Sequence, residues 1–247
     1  MVDGGPGQGI IWLMVDNRAK VTRSGEIYSD LRSRLLAGKL EPGSKLKLGE
    51  FSAHYGVSLS VVREAVTRLA EQGLVQAHPQ RGFWVMPLSV EDLLDLTRAR
   101  VLIETLALRE SIRVGGLSWE SKVLAAHHTL QHTDVVSAEG YVNPDYTDAH
   151  RAFHHALLAG SGSDRLTTVA IGLRDCSELY QHWAHELAQD ADRDPAAEHR
   201  TIAELSIAGD ADGACDALAQ HIERTTAALV RYAERGLSSV TDDSVVA

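Results

Sequence analysis

Between Leu48 and Leu74 the chain reads LGEFSAHYGVSLSVVREAVTRLAEQGL, and this stretch restricts the fold more than any other. Its first helical segment ends at Tyr55, where Gly56 supplies a positive φ at little steric cost. Ser58 is placed to cap a second segment. From Ser58 to Glu71 the apolar residues Val61, Val62, Ala65, Val66, Leu69 and Ala70 recur at three- and four-residue spacing, which leaves Ser60, Arg63, Thr67 and Arg68 outward. A short helix, a glycine turn and a capped amphipathic helix make a helix-turn-helix. A polar, basic face at the start of the second helix suits the major groove of DNA.

The flanking residues extend the unit. Ile27, Leu31, Leu35 and Leu36 share one face of a preceding helix from Ser24 to Gly38. Pro42 and Gly43 form a turn, and Lys45 and Lys47 follow it as candidate phosphate contacts, although surface lysines are commonly just solvated. After Gly73, LVQAHP and FWVMP alternate as two short strands with Gln80, Arg81 and Gly82 at their hinge. The expected result is a winged helix-turn-helix with Arg81 at the wing tip.

Charge divides the chain in the same place. Residues 18–88 hold eleven basic and six acidic side chains, whereas residues 89–247 hold thirteen basic and twenty-six acidic ones, within an overall charge of −10. A basic segment displaces counterions from phosphates, and an acidic remainder is repelled by a duplex, which suits sensing or assembly. Acidic surfaces also simply keep proteins soluble. Cys176 and Cys215 are the two cysteines, so neither a disulfide framework nor a paired-cysteine metal site is expected, and a reducing cytoplasm is the default. The apolar run Ile10 to Val15 is too short to span a bilayer and lacks a basic stretch before it, so no signal peptide is expected. Met14 is an alternative start.

The first region resembles the GntR family of bacterial transcription regulators. The resemblance rests on Gly38, Leu40, Pro42, Gly43 and Leu46, then Gly56, Val57, Ser58, Val62, Arg63, Glu64 and Ala65, then Gly73, Leu74, Val75, Arg81 and Gly82. It implies operator binding as a dimer, with DNA contacts from Ser58 and Arg63 on the recognition helix and from Arg81 and Gly82 in the wing. The chain departs from the family pattern at Leu59, where an Arg usually follows the serine, at Val61, where Pro or Thr is frequent, and at Gly49, where relatives can carry a basic residue. Losing an Arg that reads guanine bidentately removes about 1–3 kcal/mol of discrimination at one base, so a different operator is expected.

Beyond Pro87 the sequence reads as helix almost throughout. Ser89 is placed as a cap, Leu93, Leu96, Arg100, Ile103, Glu104, Ala107 and Leu108 mark the first helix, and five more are expected near 118–137, 144–159, 163–188, 194–208 and 211–236. Ten of the twelve histidines fall here. His150 and His154 are four apart, so both project from one helical face. His199 and His221 each lie eleven residues from Asp210, so two helices folding back about Gly209 to Gly213 would bring them level. Four imidazoles could then converge on one divalent cation. The plainer alternative is a polar surface pair plus satisfied core histidines. His155, His127, His128, His132, His182 and His185 show no such pattern and read as surface or core residues.

This second region resembles the FCD ligand-binding domain of FadR-like GntR regulators, through Arg100 and Glu104, Phe153 and His154, Glu198 and His199, Gly209 and Asp210, and His221. In metal-binding members of that subfamily an Asp and three histidines hold a divalent ion. His154, His199 and His221 match the histidines, and His150 stands where the Asp would be. That exchange of oxygen for nitrogen favours Zn²⁺ or Ni²⁺ over Mn²⁺ or Mg²⁺; alternatively water fills the place. Asp148 is six residues from His154 and on the opposite side of the helix.

Arg100, on an inward face, is a candidate to hold a carboxylate beside the ion, with a simple pair to Glu104 as the alternative. Arg174, in an otherwise apolar helix, is a second candidate.

The expected fold is mainly α. A disordered extension (1–20) precedes a winged helix-turn-helix domain (21–87), then an all-α bundle of six or seven helices for metal or effector binding and dimerisation (88–237), then a flexible tail (238–247). The expected function is a ligand-responsive regulator that binds operator DNA as a homodimer and senses a small carboxylate at or near the cation. The alternatives are a metalloenzyme, which would need a positioned base such as the absent HExxH motif would supply, and a regulator whose metal is structural or is itself the signal.

Overall fold

Ile27, Leu31, Leu35 and Leu36 are buried along α1 (Arg23–Leu36), which begins where the Thr22 hydroxyl accepts a hydrogen bond from the Gly25 amide. This is the first helix of a computed structural model of the chain, which describes residues 22–136, 143–183 and 193–242. The expected extension at 1–20 and residues 243–247 of the expected tail lie outside the described residues.

Next come α2 (Leu48–Tyr55) and α3 (Leu59–Glu71), joined through Gly56 at φ 63°. Val62, Ala65, Val66 and Leu69 of α3 are buried, while Ser60, Arg63, Thr67 and Arg68 are exposed. Ser58 occupies the cap position of α3 with extended backbone, but its side chain makes no capping bond. Its hydroxyl lies 2.8 Å from that of Ser60, and the backbone carbonyl of Ser58 alone receives the Val61 and Val62 amides. Strands β2 (Val75–His78) and β3 (Gly82–Val85) pair antiparallel, Val75 opposite Val85. A third strand, β1 (Lys45–Leu46), lines the other side of β3. Two strands were expected; two residues are too few to show alternation, so β1 left no periodic trace. Lys45 therefore sits in the sheet, and Lys47 stands at the start of α2.

The second region holds α4 (Val90–Val114), α5 (Gly116–Gln131), α6 (Pro144–Leu158), α7 (Asp164–Trp183), α8 (Pro195–Ile207) and α9 (Ala211–Asp242). Ser89 caps α4 by accepting from the Asp92 amide. The stretch 184–188, expected to continue α7, lies outside the described residues. α9 runs past its expected end at Gly236, through part of the expected flexible tail, because one helical glycine costs only about 1 kcal/mol.

Phe153, Leu157, Leu108, Ile202, Leu218 and Ile222 are fully buried in the bundle core. Trp119 closes one end of that core, its indole N–H donating to the Ala156 carbonyl at 2.9 Å. A Cβ on Gly160 would come within 2.5 Å of its ring, so only glycine fits there.

The two cores meet through α7. Leu179 is 2% exposed and packs within the core of the winged region. Asp175 pairs with Arg32 of α1, and the Cys176 thiol lies 3.1 Å from the carbonyl of Gln72, the residue that caps the C-terminus of α3. One turn of a bundle helix is thus seated against the recognition helix and its neighbour.

Candidate metal centre

Local sequence fixes where each histidine points. Asn143 caps α6 by accepting from the Asp145 amide, with Pro144 at the first helical position, and His150 and His154 follow on one face with ring centroids 4.7 Å apart. Asp194 caps α8 in the same way, accepting from the Ala197 amide. Gly209 (φ 77°) turns the chain, and the Asp210 carboxylate accepts from the Gly213 amide to start α9. The resulting hairpin sets His199 against His221, with centroids 4.7 Å apart.

One ligand atom from each of His150, His154, His199 and His221 lies within 4.8 Å of all the others. That is wider than the roughly 3.4 Å edge of a tetrahedron with metal–nitrogen bonds of about 2.1 Å, so the rings must draw inward to close on an ion. Five of the six ring pairs have centroids 4.7 to 5.3 Å apart, and the sixth, His150 with His221, is wider at 6.4 Å.

The chemistry of the donors suits a cation. Burial pushes the pKa of His150, His154 and His199 well below the ordinary histidine value, and neighbouring arginines add to this. Burial likewise lowers His221 to about 4, against the opposing pull of Glu198. All four are therefore neutral at pH 7 and carry a lone pair. Nε2 of His154 and Nε2 of His199 are buried with no hydrogen-bond partner, an arrangement costly for a polar atom unless something occupies the space between them. His221 Nδ1 lies 2.8 Å from Glu198 Oε2, which assigns the proton to Nδ1 and leaves Nε2 available. Glu198 is itself held by Arg193 at 2.7 Å and Arg224 at 3.2 Å. Burial alone would raise its pKa, but His221 and Arg193 keep it well below the usual carboxylate range.

Arg174 of α7 touches this cluster. Its Nη2 lies 3.0 Å from His150 Nδ1 and its Nη1 3.1 Å from the Ser177 hydroxyl, while Nε has no partner. Arg174 is 1% exposed, yet among the described residues it forms no ion pair: Glu104 is taken by Arg100, Asp175 by Arg32 and His155, and Glu178 holds Arg151 through Oε2 while its Oε1 has no hydrogen bond. Arg100 binds Glu104 at 2.6 Å with both side chains buried, the simpler of the two arrangements expected for it. Asp148 is exposed and paired with Arg151. Of the other histidines, His127 is buried against Phe153, His128 and His132 are exposed and His155 binds Asp175. His185 and the side chain of His182 lie outside the described residues.

On the opposite part of the molecule, the exposed basic residues surround α3 and the wing. Arg63 is exposed, its guanidinium 6.0 Å from the Phe83 ring. Lys45 sits 5.0 Å over Trp84, and Lys47 pairs with Glu50 at 2.9 Å. Arg81 is exposed after Gln80 (φ 62°), and Gly82 (φ 109°) opens β3. Arg68, near the C-terminus of α3, stacks on Tyr28 at 4.1 Å instead of extending outward. Leu59 is 45% exposed at the position after Ser58.

Sequence reasoning did not single out Arg193 or the part Glu198 plays beneath His221. Nor did it find Asp175, Cys176 and Leu179 at the junction. Glu198 is adjacent to His199 in sequence, but its partner is His221 on another helix, which no spacing reveals. A cleft of about 830 Å³ lined by Arg193, Glu198, Arg224 and Arg231 lies behind His221, and none of the four histidines lines it.

Residues 23–85 match the family model described as bacterial regulatory proteins, gntR family, and residues 95–224 match that of the FCD domain. An HTH-type transcriptional regulator of Paraburkholderia xenovorans (strain LB400), BphR, is 30% identical over 207 residues, 83% of this chain and 84% of its own. The HTH-type transcriptional repressor GlaR of Escherichia coli (strain K12) is 29% identical over 198 residues, 79% of this chain and 90% of its own. Among solved structures, McbR/YncC of E. coli shares the fold with a TM-score of 0.72 at 21% identity, over 85% of this chain and 98% of its own. No helix among the described residues is long and apolar enough to cross a membrane.

Proposed function

We propose that this chain, a transcription regulator that belongs to the GntR family of bacterial regulatory proteins and carries an FCD domain, ties its hold on operator DNA to a small carboxylate bound beside a divalent cation. The two working units are residues 21–87 for DNA and 88–237 for sensing and assembly.

In the first unit, the start of α3 enters the major groove of double-stranded DNA. Arg63 reads base edges, Ser58 and Ser60 reach the backbone, and Lys45, Lys47, Arg81 and Gly82 meet phosphates along the wing side. Arg68 is engaged with Tyr28 and contributes charge rather than a base contact. A homodimer places two such helices on half-sites about 34 Å apart, a spacing that tolerates little misfit.

In the second unit, His154, His199 and His221 are the ligands for the cation, with His150 beside them. Neutral imidazoles without a carboxylate favour Zn²⁺ or Ni²⁺. The cation would supply a Lewis-acid point for one carboxylate oxygen. Arg174 carries this reading: a buried guanidinium in no ion pair among the described residues, next to orphaned imidazole nitrogens, calls for an anion. Arg174 is also within five residues of Asp175, Cys176 and Leu179, so a shift of α7 at the cluster reaches α1 and α3 directly.

A thermal-shift screen of small carboxylates, run with and without chelator, tests this. A bound effector at a hundred times its Kd stabilises by about 2.7 kcal/mol. Stabilisation that chelator abolishes is expected; stabilisation unaffected by chelator, or none with any carboxylate, would overturn the sensing reading while leaving the DNA-binding assignment intact.

A further inference from the structure

We infer that Arg174 keeps His150 from serving as a ligand until an anion takes the guanidinium away, so that carboxylate and divalent cation bind cooperatively. This rests on the metal-centre reading above and specifies how that site is regulated.

A neutral imidazole has one nitrogen that donates and one that accepts. Arginine only donates. With Arg174 Nη2 3.0 Å from His150 Nδ1, Nδ1 must be the acceptor, and the ring proton sits on Nε2. Both nitrogens of His150 are then committed. Coordination through Nδ1 needs Arg174 to leave. Coordination through Nε2 needs the proton moved to Nδ1, where it would point at a guanidinium N–H. The other three rings differ: Nε2 of His154 and His199 has no partner, and His221 Nδ1, although 3.3 Å from Arg193 Nη2, lies closer to Glu198 Oε2 at 2.8 Å, which keeps the proton on Nδ1 and Nε2 free. His150 lies as close to His154 and His199 as the other rings lie to one another, so it is near enough to join the set once Arg174 leaves.

Among the described residues no carboxylate forms an ion pair with Arg174. Glu104 and Asp175 each already hold another cation, and Glu178 holds Arg151 through Oε2 while its Oε1, buried without a hydrogen bond, stays out of ion-pair reach of Arg174. An incoming carboxylate, with two coplanar oxygens, matches the fork of a guanidinium whose Nε has no partner. Taking Arg174 from His150 frees the Nδ1 lone pair, and the set grows from three imidazoles to four. Linkage then requires each ligand to tighten the other by the same factor. A neutral ligand of the same shape leaves the Arg174–His150 contact in place and gains nothing.

Histidine ¹⁵N NMR on the full-length wild-type chain reads the first half directly. In metal-free protein His150 is expected as the Nε2–H tautomer; an Nδ1–H tautomer would overturn the proposal. With Zn²⁺ loaded, the His150 nitrogens are expected to move to metal-bound shifts only after acetate is added, and not with acetamide. The second half is read from Zn²⁺ affinity by chelator competition. Acetate is expected to tighten it about tenfold or more, the scale of one hydrogen bond from a charged donor. Arg174→Met is expected to bind at the tightened level without acetate and to gain nothing from it. An acetate effect of equal size in Arg174→Met, or metal-bound His150 shifts without acetate, would overturn the exchange alone. A wild-type chain that binds no Zn²⁺ would overturn the metal centre and this proposal together.

Discussion

The winged region and the helical bundle place their polar groups in opposite ways. Around α3 the interior is apolar, and Arg63, Ser60, Lys47 and Arg81 stand on the outside. In the bundle, Arg100, Glu104, Arg174, Asp175, Glu178, His154, His199 and His221 are all buried. A surface laid over a finished core can change its target without touching stability. A site made from the core cannot, because each group inside it must be neutral, paired or awaiting a partner.

Three substitutions break or sharpen this contrast. The largest effect is expected at Phe153, fully buried with its ring 5.3 Å from His154 and 5.5 Å from His199. Phe153→Ala should cost about 3–5 kcal/mol in urea unfolding and weaken Zn²⁺ binding as well. Stability lost with metal affinity unchanged would separate core from site and break the contrast.

Leu179→Ala should cost about 2–5 kcal/mol, and hydrogen exchange should accelerate at the buried amides of α3 as well as in α7. Acceleration confined to the bundle would mean that α7 does not help to hold the winged region. Smaller again, Arg63→Ala should weaken operator binding by about 1–3 kcal/mol in a gel-shift or anisotropy titration. Its unfolding free energy should stay within about 0.5 kcal/mol of wild type. Unchanged affinity would remove Arg63 from the interface.

The same contrast governs how much the sequence reveals. The helix-turn-helix is legible because Gly56 and the three-four spacing of Val62, Ala65, Val66 and Leu69 are local signals. His150 with His154, and the hairpin that pairs His199 with His221 about Gly209, are legible for the same reason: helical period and turn chemistry translate directly into position. Arg174 stood out only as a charge in an apolar helix. What it does depends on its acidic neighbours being paired with Arg151, Arg100, Arg32 and His155, contacts that mostly join separate helices. The seating of Cys176 against Gln72, over a hundred residues away, leaves no periodic trace either. Ser58 shows the limit within local rules, since a hydroxyl at a cap position had a second serine in reach and took it.

Metal content tests most directly the proposal that histidines from α6, α8 and α9 enclose one cation. Wild-type chain and a His199→Ala, His221→Ala double variant would be stripped, reloaded with Zn²⁺, dialysed and assayed by atomic absorption, with folding checked by circular dichroism. The expected result is one tightly held ion per wild-type chain and none in the folded double variant. A folded double variant that retains the ion, or a wild-type chain that holds none, would contradict it.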